Sequence, residues 1–472
     1  MNIEQPVDLV IVGSGLAAHR AALEASALGA EVLMIEKMDS IGGSTVMSGG
    51  SFAFAGTDQQ RAQGIDDSEQ RLRHDLLSVG GGEADTALVD LYVNEQLNEY
   101  DWLRGHGVVF SAVQLSSGQS VPRSHPCHPG VALRLLNTAL SAQSNVRILT
   151  GTRAKRLRRS RSGGPIDQVM MESAGKTVTV TARHGVILAT GGFSRSEELL
   201  KLFVPEILSA LRAGGKGNEG DGLMMGWEHG AGFADLGFVK STFGSYIEVD
   251  EAEPHTTLLP VYRGAIAVNL KAERFIAESR SYKTLGQAVL RQPSARAWQI
   301  FDQNIMSQSV SGVPSFDFDA AMKKGRIIQA DTLSGLAALA GLDAATLQDV
   351  VDTYNADIAT TGKDSRFERK ALAHEYGELV PVQSAPFYGY ICTASINSTY
   401  AGLCVNPSMA VLNVYGETIA GLFAAGEVVG GFHGEAYMTG SSLVKALVFG
   451  KTAARTALNA TPLRVVQQEE VT

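Results

Sequence analysis

The clearest pattern of apolar and polar positions lies near the start of the chain. Val7–Val12 is apolar except for Asp8 and predicts a buried strand. Small residues then run from Leu16 to about Leu28 and predict a helix, which Gly29 ends. Glu31–Glu36 repeats the strand pattern and closes on an acid. Between the first strand and the helix stands Gly13-Ser-Gly15-Leu-Ala-Ala18, so the three elements make a βαβ unit with GxGxxA at its first turn. Gly13 and Gly15 allow a tight turn and close approach to a pyrophosphate. Leu16, Ala17 and Ala18 open the helix, whose N-terminus favours phosphate charge, and Glu36 is placed to accept from ribose hydroxyls. This predicts a dinucleotide site; the competing reading is a tight strand–helix turn with no ligand.

Later segments repeat the theme. Gly185–Gly192 is a buried strand closing on Ala189, Thr190 and Gly191, and Gly421–Glu427 is another, ending in an acid. Ile41–Gly50 follows the Glu36 strand directly, Gly217–Gly222 precedes an apolar helix, and a further helix runs from near Gly440 to about Leu458. These pieces assemble into one nucleotide domain from 1–236 and 378–472. The intervening 237–377 has a different texture. It predicts strands at Tyr262–Asn269 and Ala297–Asp302 and helices at Leu333–Ala340 and Ala344–Ala359, the last capped by Asp343. The fold class is therefore α/β, Rossmann-like, with an inserted α+β domain.

Composition narrows the function. The 472 residues carry a formal net charge of −9, which argues against nucleic-acid binding. The basic run Arg153–Ser162 is followed by Gly163-Gly-Pro165 and predicts a solvated hairpin tip. Three cysteines, Cys127, Cys392 and Cys404, make no disulfide framework and fit a reducing, cytoplasmic setting. No apolar run is long enough to cross a membrane, and the N-terminal run is expected to be a strand rather than a signal peptide. His125-Pro-Cys-His128 has no distant partner pair, so no metal site is expected. Gln467–Thr472 is expected to fray. Glycine, at 51 positions, is concentrated in the clusters above, where backbone must approach a ligand.

Taken in order, GSGLAA with Glu36, GGSTVMSGG, ATGGF at 189–193, GNEGDG at 217–222 and AAGEVVGGFHG at 424–434 resemble the fumarate reductase/succinate dehydrogenase flavoprotein superfamily over nearly the whole chain. The resemblance implies FAD, a glutathione-reductase type FAD domain, and a capping domain inserted after the GDG segment. It also implies hydride exchange between flavin N5 and a carbon beside an activating group. The positions it brings to the cofactor, besides those of the first turn and Glu36, are Lys37, Gly42, Gly43, Ser44, Thr45, Ser48, Gly49 and Gly50. Further along they are Ala154, Ala189, Thr190, Gly191, Asn218, Asp221, Gly426, Glu427, Ser442 and Leu443. No histidine occupies Asp39–Gly50, so the FAD is expected to be non-covalent.

In fumarate-type members two histidines and two arginines clamp the substrate carboxylates. The matching stretches here read Val239-Lys-Ser-Thr-Phe243, Arg274-Phe-Ile-Ala-Glu278 followed by Ser279-Arg-Ser-Tyr282, Ile396–Tyr400, and Glu435-Ala-Tyr-Met-Thr-Gly440, without those ligands. The string E-S-x-x-Y and a tyrosine before the last glycine turn resemble instead the 3-ketosteroid dehydrogenases and related cyclic-ketone desaturases. That resemblance implies an oxyanion site from Tyr437 and the Ser441 amide, with Tyr282 as base. Tyr400, Thr439, Ser398, Arg123, His125 and Ser241 become pocket candidates. The expected activity is FAD-dependent α,β-desaturation of a ring ketone, with electrons passed to a quinone or another carrier; oligomerisation is left open. Two alternatives stand beside it. One is an ene reductase for an unsaturated acid or enone, using Lys240, Arg280 and Arg123; the other is a non-catalytic electron-transfer subunit.

Overall fold

A computed structural model describes residues 5–239, 241–248, 255–373 and 377–460. These fall into two compact units, one from Met1–Val204, Gly214–Val239 and Ser398–Thr472, the other from Pro205–Ala213 and Lys240–Asn397. Two main sheets are built, in chain order, from β1 (Leu9–Val12), β2 (Val32–Ile35), β3 (Val146–Leu149), β4 (Val186–Leu188), β5 (Leu211–Arg212), β6 (Thr242–Tyr246), β7 (Ile266–Asn269), β8 (Ala297–Asp302), β9 (Ile327–Ala330), β10 (Phe387–Ile396), β11 (Ala410–Leu412) and β12 (Thr418–Ala424). The helices that matter for function are α1 (Leu16–Ala27), α2 (Gly43–Met47), α3 (Asp221–Glu228), α4 (Tyr282–Leu290), α5 (Ala344–Thr361) and α6 (Ser441–Asn459).

In the first unit the sheet order is β11-β12-β4-β1-β2-β3. All neighbours are parallel except the β11–β12 pair. β1, β2 and β4 are buried at every residue, as continuous apolar strands of a sheet covered on both faces must be. α1 crosses from β1 to β2, and α6 lies against it. At Gly450 of α6 a Cβ would stand 2.4 Å from the Ala17 carbonyl oxygen, so the two helix backbones touch there. The expected Rossmann-like α/β architecture is present. The basic run forms the strand Thr152–Arg158 of a small three-stranded antiparallel sheet, with its charged residues exposed.

In the second unit the long strand β10 is the hub, pairing with β5, β6, β8 and β9, while β7 pairs with β8. The predicted domain 237–377 is thereby redrawn. Residues 378–397 join it because β10 is its central strand, 205–213 join it because β5 pairs with β10, and 237–239 stay with the first unit. The predicted strand from Tyr262 begins only at Ile266, because Pro260–Arg263 forms a 3₁₀ turn. The predicted α5 cap is observed, with the Asp343 carboxylate accepting from the Thr346 amide at 2.8 Å.

A buried ionic knot holds this unit's core. Arg274 reaches Glu278 at 2.7 Å and Asp364 at 2.5 Å, Arg369 reaches Glu278 at 3.3 Å, and the Ala267 amide donates to Glu278 at 3.0 Å. The RF-x-x-E string is thus structural, one turn of chain clamped by two guanidinium groups. Removing the shared carboxylate leaves buried positive charge. Glu278→Ala is expected to destabilise the protein by about 3–5 kcal/mol, seen as a lower urea midpoint; a midpoint unchanged from wild type would show the knot to be energetically idle.

Candidate active site

The first unit's nucleotide cradle begins at the β1–α1 turn. Gly13 has φ +112°, and a Cβ there would stand 2.2 Å from the Ala189 carbonyl oxygen, so this turn accepts glycine alone. α1 starts behind Gly15 with no side-chain cap, leaving its N-terminal dipole for a phosphate group. The Leu16 amide is held by Thr45 Oγ1 at 3.0 Å. Glu36, at the end of β2, accepts from Ser14 Oγ at 2.6 Å and from the Met38 amide at 2.8 Å, and Ser14 Oγ in turn accepts from the Gly42 amide at 3.1 Å. Ser14, which the motif treats as a spacer, is therefore the tie between the glycine turn, the ribose acid and the second glycine loop. Its place between two glycines is the only sequence signal of that role.

A second polar group lies around Glu427. Its carboxylate accepts from the Thr399 amide at 2.9 Å and from Asn218 Nδ2 at 3.3 Å, and Asn218 also donates to Ser44 Oγ at 2.8 Å. Burial raises the Glu427 pKa above the usual carboxylate range. Beneath the 426–434 loop Lys445 is buried, donating to the Val429 carbonyl at 2.7 Å, with its pKa pushed down by burial to about 8. Neither Thr399 nor Lys445 is marked by the motifs. Lys37 and Asp221, both expected at the cofactor, pair with each other at 2.8 Å and tie the end of β2 to the start of α3. Ser48 Oγ donates to the Thr45 carbonyl inside the loop that contains α2 and Gly49. Gly50 abuts the Cys127 carbonyl, and Gly191 abuts the Asn218 side chain. Ala154 is buried on the strand after β3, and Leu443 is buried on α6. A capless helix N-terminus, a buried ribose acid and a set of hydroxyl, amide and carboxylate groups fit FAD: Glu36 for the ribose, α1 for the pyrophosphate, and Ser44, Asn218 and Glu427 for the chain of hydroxyls toward the flavin.

The aromatic and hydroxyl candidates gather at the start of α6. Tyr400, His433 and Tyr437 pack ring against ring, with centroids 5.2 Å (Tyr400–His433), 5.4 Å (His433–Tyr437) and 6.2 Å (Tyr400–Tyr437) apart. Ser442 Oγ lies 3.2 Å from His433 Nε2 and also hydrogen-bonds the Tyr437 phenol, whose oxygen accepts from the Gly440 amide at 2.9 Å. Burial raises the Tyr437 pKa, so this phenol stays protonated. The predicted role of the Ser441 amide needs correction. It donates to the Met438 carbonyl at 3.1 Å, and Ser441 Oγ does so at 2.7 Å, because the turn before α6 closes on itself. Thr439 and Ser398 are half-buried in the same unit.

Two pocket candidates are structural instead. Arg123 is fully buried, its guanidinium spent on Asp67 at 2.7 Å and Asp75 at 2.5 Å. His125 is fully buried among Phe54, Tyr100 and Phe110, with Nε2 on Thr57 Oγ1 at 2.9 Å and Nδ1 on the Arg123 carbonyl at 2.8 Å. In the second unit Tyr282 is half-buried at the first position of α4, Ser241 is buried, and Arg280 is exposed. Lys240 and Gln467–Thr472 lie outside the described residues. No cluster of metal ligands occurs among the described residues, and no helix among them is long and apolar enough to cross a membrane.

Residues 8–443 match the family model described as FAD binding domain. The chain belongs to this family. It is a flavoprotein of the fumarate reductase/succinate dehydrogenase superfamily, an FAD-dependent oxidoreductase of the class acting on CH–CH groups. It is 30% identical to vinyl phenol reductase of Lactiplantibacillus plantarum, over 95% of this chain and 96% of that protein. It is 28% identical to the fumarate reductase (cytochrome) of Shewanella frigidimarina, over 96% of this chain and 77% of that protein. Its fold is also that of 3-ketosteroid-Δ4-(5α)-dehydrogenase from Rhodococcus jostii, with a TM-score of 0.77, 24% identity, and 98% of each chain covered.

Two outcomes test these assignments. Glu36→Ala is expected to weaken FAD retention by about tenfold or more, read as flavin released on gel filtration; full retention would remove Glu36 from the cofactor site. Burial lowers the pKa of His125 from 6.5 to about 4, so between those values the unfolded chain takes up a proton that the folded chain refuses. Stability is therefore expected to fall as pH drops through that window, by up to about 3 kcal/mol more in wild type than in His125→Gln. Parallel pH profiles of the two proteins would refute the assignment.

Proposed function

We propose that the protein desaturates the Cα–Cβ bond of a cyclic ketone, of cyclohexanone or 3-ketosteroid type, and passes the electrons to a quinone or another soluble or membrane carrier. The observation that carries this reading is the Tyr437 phenol. It is held neutral by burial, ordered by Gly440 and Ser442, and stands where the matching stretch has no arginine to clamp a carboxylate. A neutral donor suits an oxygen that gains negative charge during reaction better than one already ionised. FAD, non-covalently bound, supplies the two-electron oxidant.

The chain's own residues supply the rest. The Tyr437 hydroxyl donates to the carbonyl oxygen as enolate charge develops, in place of the Tyr437–Ser441 pair expected from the motif. Ser442 and His433 behind it keep the phenol oriented. The role of base that takes the α-proton falls to Tyr282 by the resemblance to the ring-ketone desaturases. Thr439 offers a further hydroxyl, and Tyr400 and Ser398 shape the wall. A cytoplasmic location fits the free thiols.

One observation favours running the site in reverse. The vinyl phenol reductase match extends over almost the full length of both chains, and a phenol is another ring-borne oxygen that Tyr437 could face. The unsaturated-acid version has less support, since Arg123 is committed to Asp67 and Asp75 and Arg280 is exposed.

Anaerobic mixing of the FAD-loaded protein with saturated ring ketones is expected to bleach its visible absorption. If no ketone does so while 4-vinylphenol restores the absorption of the chemically reduced protein, the reductive reading replaces the desaturase. Tyr437→Phe is expected to lower kcat by about 100- to 1000-fold with FAD retained, as loss of one oxyanion donor does; unchanged turnover would remove Tyr437 from the chemistry.

A further inference from the structure

We propose that Lys283 is a positioning residue that acts through Tyr282, forming with Ser241 and Thr242 a buried polar seam between β6 and α4 that sets the ionisation of the Tyr282 phenol. The inference rests on the reading of Tyr282 as the base.

Tyr282 and Lys283 are the first two residues of α4, fixed by Ser281, whose hydroxyl accepts from the Thr284 amide at 3.2 Å. The Lys283 side chain turns inward, is buried, and donates from Nζ to Thr242 Oγ1 at 2.7 Å. Its Nζ also stands 5.3 Å from the centroid of the Tyr282 ring. One turn along α4, a Cβ at Gly286 would lie 2.5 Å from the Ser241 carbonyl oxygen and 2.8 Å from Ser241 Oγ. Helix and strand therefore meet backbone to backbone there. Within the seam Ser241 Oγ is fully buried and has no hydrogen-bond partner among the described residues. A hydroxyl left so is ready for a ligand or a proton.

Burial pushes the pKa of the Lys283 ammonium down to about 7. The other titratable groups packed against β6 and the start of α4 are Tyr246 on β6, Tyr390 and Cys392 on β10, and Tyr262, whose hydroxyl donates to the Arg280 carbonyl at 2.8 Å. Burial raises Tyr262 and Tyr390, and pushes the Cys392 thiol up to about 12, so these remain neutral. Glu278, on the approach to α4, is committed to Arg274 and Arg369. Lys283 is thus the group of this seam whose charge changes near neutral pH.

With Nζ over the Tyr282 ring, the two groups titrate as a coupled pair, between phenol with amine and phenolate with ammonium. In the second form the phenolate accepts the proton from the substrate carbon, and the electron pair of that C–H bond stays on the substrate as the enolate. The half-buried Tyr282 phenol then returns that proton to solvent and resets the pair.

The test is carbon NMR of holoenzyme whose tyrosines are labelled at Cζ, with Tyr282→Phe identifying the resonance. Lys283→Met removes the charge and Lys283→Arg keeps it permanently. The Tyr282 midpoint is expected about one pH unit or more higher in the Met than in the Arg variant, a tenfold change in ionisation constant, and wild type should show a step near pH 7 that both variants lack. Equal midpoints, or a Tyr282 that stays protonated throughout the stable range of both variants, overturn the proposal. If Lys283→Met does not fold, Thr242→Val, which removes the hydroxyl that accepts from Nζ, is read against Lys283→Arg in its place. Ring-ketone bleaching by Tyr282→Phe at the wild-type rate would sink the reading of Tyr282 as base, while the NMR titration would still decide the coupling.

Discussion

The nucleotide unit depends on one close approach, that of the Gly13 backbone to the carbonyl of Ala189. With no room for a Cβ, the end of β1 and the end of β4 meet directly, and the start of α1 is brought against the sheet edge where β2 also ends. Everything polar in the cradle is then hung from that geometry by short hydrogen bonds. Ser14 links Glu36 to Gly42, Thr45 holds the first amide of α1, and Asn218 links Ser44 to Glu427. A side chain at position 13 would move the N-terminus of α1, and Glu36 and the second glycine loop would move with it.

Both units bury charge, and they do so in the way buried charge is tolerated, by giving each ion several partners. Arg123 has two aspartates, and Glu278 has two arginines and an amide. These sets stabilise less by their attraction than by the penalty of breaking them. Lys445 and Lys283 are buried too, one donating to a carbonyl and the other to a hydroxyl, and burial pulls the pKa of each toward neutrality. Groups of that kind are expensive to keep and cluster where protons are handled.

The sheet, the glycine turn and the acid-ended strand were legible in the sequence because they rest on local pattern: a continuous apolar strand, a glycine at a forced φ, an acid at a strand end. The domain border near 378 was not, since β10 looks like any apolar strand until its partners β5, β6, β8 and β9 are known. Arg123 and His125 misled for the same reason. A polar residue in a Pro-rich loop suggests a pocket, but Asp67, Asp75 and Thr57 lie roughly fifty to seventy residues upstream, and only tertiary structure delivers them. The Ser441 amide failed on a finer scale, because a turn that folds back on Met438 has no signature beyond its glycine.

No motif marks Lys283 although it is consecutive with Tyr282, and the reason bears on mechanism. Neighbours on a helix point about 100° apart, so a tyrosine at the first position of α4 and a lysine at the second divide between the helix surface and the seam against β6. The two phenols assigned to chemistry consequently have opposite surroundings. Tyr437 sits among rings, accepts from an amide, and is held protonated by burial. Tyr282 has an amine over its ring. Where two like groups are driven apart in this way, the environment itself separates acid from base. One phenol keeps its proton and can stabilise a growing negative charge; the other can be relieved of its proton and accept one from carbon.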